Sequence, residues 1–82
     1  MKMNAREVQQ AMQLLRNVAE CDPNDVIANC ASQLAWELET VKLPFDTESM
    51  NPKRQTLLQY AIQCRKKYVL APGEKHAQKV AM

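Results

Sequence analysis

Three cysteines and one histidine are the residues here with the richest chemistry. Cys21, Cys30, Cys64 and His76 are separated by 8, 33 and 11 residues. A structural zinc site needs ligands paired at short spacing, because two from one turn fix half a tetrahedron. No such pair exists. Cys21 and Cys30 flank an expected helical hairpin, with residue 30 about two turns, roughly 12 Å, up the second helix. The two sulfurs are therefore too far apart for a shared metal or a disulfide. All three thiols are expected to be reduced, small and buried apolar residues, with no metal and no cofactor. An odd cysteine count without an apolar leader reads as a reducing, cytoplasmic setting.

Catalytic constellations are as poorly supported. His76 lies in a weakly patterned tail, where nothing holds it in geometry. Ser32 and Ser49 have no histidine near them in sequence. Glu37 and Glu39 are two apart on a helix and do not face each other. Gly73 is the single glycine of the chain, which excludes Gly-rich phosphate loops, dinucleotide fingerprints and nucleophile elbows. No enzyme is expected, and no stretch approaches the roughly 20 apolar residues of a membrane span.

Binding chemistry is better represented. Residues 1–50 hold four Lys or Arg against eight Asp or Glu, a balance of −4; residues 51–82 hold seven against one, a balance of +6. The net charge of +2 hides a bipolar chain. Internal neutralisation, self-association or a charged partner fits that asymmetry. In the basic half, Lys53, Tyr60 and Lys67 fall at heptad spacing, with Arg54 beside the first and Lys66 beside the last. Such an edge can bind phosphate and stack on a base. An isoelectric point near 8.5 is low for that role, and cations in a last helical turn are favoured by the helix dipole alone. Arg65 falls inside the apolar arc of its helix, where it must snorkel out or meet a carboxylate.

Trp36 is the most telling single residue. The apolar stripe of its helix runs through Ile27, Ala31, Leu34, Leu38 and Val41. At roughly 100° per residue, Trp36 points about 180° from Ile27, among Asn29, Ser32, Gln33 and Thr40. A tryptophan on a polar face marks a contact, since Trp, Tyr and Arg dominate binding hot spots. Cover from within the chain, by Phe45 or by the tail, is the competing account.

These residues sit on elements with clear start signals. The chain has 82 residues, enough for one small domain. Ten Ala, eight Leu and eight Gln favour helix, and neither Asn-Gly nor Asp-Gly hairpin turns occur. The pattern predicts an all-α three-helix bundle. Asn4 with Glu7 resembles a capping box opening a helix over 5–21. Its apolar arc is Val8, Ala11, Met12, Leu14, Leu15, Val18, Ala19 and Cys21, with Asn17 on the solvent side. Asp22-Pro23 reads as cap and first residue of a helix over 23–42, antiparallel to the first. Asn51-Pro52 repeats that signal for a helix over 52–69. Phe45, in the connector, is expected under the bundle. Residues 1–72 form the expected domain, and 73–82 a flexible or short helical tail.

The expected role is a non-catalytic protein–protein interaction module: a small adaptor, inhibitor or regulatory subunit, of a size frequent in bacteria and their phages. Trp36, Gln33, Thr40 and Arg65 are its candidate contacts, with another protein or a second copy as partner. The alternative is a DNA- or RNA-binding module using Lys53, Arg54, Tyr60, Lys66 and Lys67.

Overall fold

The computed structural model describes residues 2–68 and shows three helices. Helix α1 spans Ala5–Cys21, and its capping box forms as expected: Asn4 Oδ1 accepts from Glu7 N–H while Glu7 Oε1 accepts from Asn4 N–H. Helix α2 spans Asp25–Leu38 and α3 spans Pro52–Gln63. Helices α1 and α2 form the principal packed pair, and α3 lies across both. Leu15, Val18, Cys21, Ala31, Leu34, Ala35, Leu38, Leu58 and Ala61 fill the core between them.

Several boundaries differ from the pattern, each for a local reason. Asn24, not Asp22, caps α2: its side chain accepts from Val26 and Ile27 N–H. Asp22 closes α1 instead, its own N–H bonding the Val18 carbonyl. Pro23 therefore lies outside both helices. Helix α2 stops at Leu38 rather than near Lys42. There Glu39 and Thr40 donate their N–H groups to Trp36 and Glu37, three residues back. The Thr40 hydroxyl takes the Glu37 carbonyl as well. That tightening is a usual way for a helix to end. The third helix ends six residues before 69, because Arg65 N–H also turns to a carbonyl three back, that of Ile62. Residues 69–82, including the expected tail and His76, lie outside the described residues.

A short ladder is present that periodicity did not predict. Lys2–Met3 (β1) pairs antiparallel with Phe45–Asp46 (β2), Met3 opposite Phe45. Met3 is thereby buried, and Phe45 is half-buried and packed against the core. Two further residues change sides. Asn17 is buried, with its Oδ1 accepting from Gln13 Nε2. Cys30 is exposed, whereas Cys21 and Cys64 are buried, and none of the three is in a disulfide.

Candidate functional site

Helix α2 positions the outward-facing set. Its inward stripe of Ala31, Leu34, Ala35 and Leu38 is buried against the other helices. The opposite face carries Asn29, Gln33 and Trp36, all exposed, and Thr40, also exposed, lies in the turn that follows. At about 100° per residue the three helical residues share a strip about 60° wide. Trp36 is 66% exposed, and Val26, near the start of the same helix, is 70% exposed. Large apolar side chains left this open are the informative exceptions on a small surface.

Beside that strip, a groove of about 560 Å³ runs between α2 and α3, lined by Val26, Ile27, Cys30, Gln33, Leu57 and Tyr60, with Lys53 and Arg54 among its walls. Its floor is apolar and its α3 rim cationic. No acidic residue stands in the first turn of α3, so the positive end of that helix is not offset from within. Arg54 bonds Glu37 Oε2 at 3.0 Å across the two helices, and Arg16 bonds Glu39 Oε1 at 2.7 Å. The two carboxylates that follow Trp36 in sequence thus each hold a partly exposed arginine. A second hollow of about 500 Å³ lies between α1 and α3, with Met3, Leu14, Gln55, Leu58 and Ile62 among its lining.

The other expected contacts are scattered. Arg65 is exposed beyond the end of α3, its guanidinium bonding the Ile62 carbonyl at 3.2 Å. It would stand among apolar residues only if the helix continued past Gln63. Lys66 and Lys67 lie in the turn after Gln63, so Lys53 and Lys67 do not share a helical edge. The Lys67 ammonium sits 5.3 Å from the Tyr68 ring centroid.

Tyr60 is already engaged. Its hydroxyl donates to Asp22 Oδ2, and the Tyr68 hydroxyl reaches the same oxygen at 3.2 Å. Asn24 N–H binds the other carboxylate oxygen at 2.8 Å. Burial alone pushes the Asp22 carboxyl up. The Tyr60, Asn24 and Tyr68 hydrogen bonds and the Lys67 charge outweigh it and hold the group below 3.8, its ordinary value. The Tyr60 hydroxyl is pushed above its ordinary 10.0, first by the bond to Asp22 and then by burial. This node is a clasp between the α1–α2 turn and the end of α3. Sequence reasoning missed it: Asp22 looked like a helix cap, and no spacing rule joins residue 22 to residues 60 and 68.

Among the described residues, no group of three or more His, Cys, Asp or Glu is placed to hold a metal ion, and no helix is long and apolar enough to cross a membrane. Comparison with protein-family models, with curated proteins and with solved structures finds no match.

Proposed function

We propose that this chain is a non-catalytic protein-interaction module whose contact surface is the outer face of α2 and the turn that ends it, centred on Trp36 with Gln33 and Thr40. The observation that carries this reading is the exposure of Trp36, an indole 66% open on a helix whose opposite face is packed into the core. The adjoining groove, with Val26 and Cys30 on its walls, extends the same surface. Adaptor, inhibitor and regulatory subunit are the roles open to so small a module. The nucleic-acid reading draws less support. Tyr60 and Arg54 are bonded to Asp22 and Glu37, and Lys66 and Lys67 lie off the helix that was to align them.

The test is affinity capture from nuclease-treated lysate of the host cell, with tagged wild type and Trp36→Ala side by side. A protein partner, another copy of the chain included, should be retained by wild type and lost with Trp36→Ala. Retention should change little with salt. Equal capture by both baits would refute the role of Trp36. Retention of nucleic acid that falls steeply as salt rises, through counterion release, would transfer the function to the basic residues.

A further inference from the structure

We infer that the groove between α2 and α3 is a binding site for a small amphipathic monoanion. Its ligand is an unbranched alkyl carboxylate, with the chain along the apolar floor and the carboxylate at Lys53. This goes beyond the protein-contact reading of α2 and does not depend on it.

The groove has two unlike ends. Tyr60, late in α3, bonds Asp22 just before α2, and Arg54, early in α3, bonds Glu37 late in α2. The two helices therefore run antiparallel. Val26 and Ile27 stand toward Tyr60 at one end, Gln33 stands toward Lys53 at the other, and Cys30 and Leu57 lie between. From Val26 to Gln33 is seven residues, about 10 Å along the helix. Carbon–carbon bonds of about 1.5 Å at tetrahedral angles advance about 1.25 Å each, so about eight to ten carbons cover that length. The volume of about 560 Å³ lies within the range of small-molecule sites, about 300–1,000 Å³. Such sites orient an apolar body by a few polar groups, and here the polar groups gather at one end. The chain of the ligand would cover Val26, one of the most exposed large apolar residues. The Tyr60 ring is held by its bond to Asp22, so this wall is set before a ligand arrives.

Charge fixes the head group. The lining holds Lys53 and Arg54 and no carboxylate. Glu37, just outside it, offsets Arg54 at 3.0 Å. Lys53 has no ion-pair partner among the described residues. The excess is thus one positive charge, which matches a monoanion rather than a phosphate ester. The N-terminus of α3, with no acidic residue in its first turn, adds potential of the same sign. The side-chain amides of Gln33 and Asn51, at the same end, supply further N–H donors. The hollow between α1 and α3 is nearly as large, about 500 Å³, but Glu7 is in its lining and no cation is. The same ligand is disfavoured there, so charge and not volume selects the groove.

The test is a titration of the full chain with decanoate, followed by amide shifts in nuclear magnetic resonance, with decylammonium as the cationic counterpart. Decanoate should bind with a dissociation constant of about 0.1–3 mM, the range for so few atoms. The shifts should concentrate on residues 26–33 and 53–60. Decylammonium should bind at least about fivefold more weakly. Lys53→Glu places an acid in the first turn of a helix, which the dipole favours, so its helical circular dichroism should be unchanged. It should weaken decanoate at least about fivefold and reverse the preference between the two probes. Cys30 is the exposed thiol of the three, and its N-ethylmaleimide adduct fills the middle of the groove. The adduct should abolish binding, whereas Cys30→Ser should retain it. No binding up to about 10 mM decanoate, equal binding of the two probes, or unchanged affinity in Lys53→Glu or in the adduct would each overturn the site. Shifts as large in the α1–α3 hollow as in the groove would overturn it too. Capture of a protein through Trp36 is measured separately, so failure of either inference is read without the other.

Discussion

Tyr60→Phe removes one oxygen atom and with it the Tyr60 arm of the clasp on Asp22, a bond that spans 38 residues of chain. Hydrogen bonds to charged groups contribute about 1.5–3 kcal/mol. Tyr60 is half-buried, so water can reach the vacated carboxylate oxygen and the lower end applies, about 1.5–2 kcal/mol. In a domain this small each kcal/mol moves the melting temperature by about 4–8 °C, so the variant should melt about 6–16 °C lower. Asp22→Asn is the companion change. It keeps an oxygen acceptor but removes the charge from the Tyr60, Tyr68 and Asn24 bonds together. Charge-assisted bonds are about twice as strong as neutral ones, so each loses about 0.7–1.5 kcal/mol and the three lose about 2–4.5 kcal/mol. Because Tyr60→Phe has only a neutral bond left to lose in the Asp22→Asn background, the double mutant should be more stable than the sum of the singles predicts. The expected coupling is about 0.7–1.5 kcal/mol. Urea and thermal unfolding followed by circular dichroism on the four proteins give the cycle. A Tyr60→Phe melting temperature within about 2 °C of wild type, together with coupling below about 0.3 kcal/mol, would refute the clasp.

Two further outcomes follow from the same coordinates. Since the Asp22 carboxyl is held below 3.8 in the fold, its contribution is fully present above that pH and is lost as pH falls through the folded value. The stability gap between wild type and Asp22→Asn should be flat from about pH 5 to 8 and close below about pH 4; urea midpoints at stepped pH check this, and a gap that widens in acid contradicts the assignment. Leu15 is fully buried, at 0% exposure between the helices, so Leu15→Ala should cost about 3–5 kcal/mol, enough to leave so small a domain largely unfolded near 37 °C; a loss under about 1.5 kcal/mol, measured by urea unfolding, would mean that the core closes around the deletion.

Much of the fold was legible because its signals are local. Asn4 with Glu7 marked the start of α1, and Asn51-Pro52 that of α3, from side chains that bond backbone within one turn. The three-helix class and the outward face of Trp36 came from 3.6-residue periodicity, which the chain obeys wherever it remains helical. The same periodicity failed where it was extrapolated past a helix end. Arg65, Lys66 and Lys67 were placed on an α3 that stops at Gln63, so Arg65 does not stand in the apolar arc of the helix and the basic edge does not form. Asp22 shows the other limit. Asp22-Pro23 carries a cap signal as good as that of Asn24, and a local rule cannot choose between them. Tertiary structure chose, because only the folded chain brings the Tyr60 and Tyr68 hydroxyls to that carboxylate, and an acid bonded to both, with one oxygen left for Asn24 N–H, is better satisfied than a solvated cap. The exposure of Cys30 and the groove beside it were decided in the same way. They depend on how closely α3 approaches α2, a distance set by side chains far apart in sequence. Helices and faces are properties of neighbouring residues, whereas clasps and grooves are properties of residues that meet only after the chain has packed.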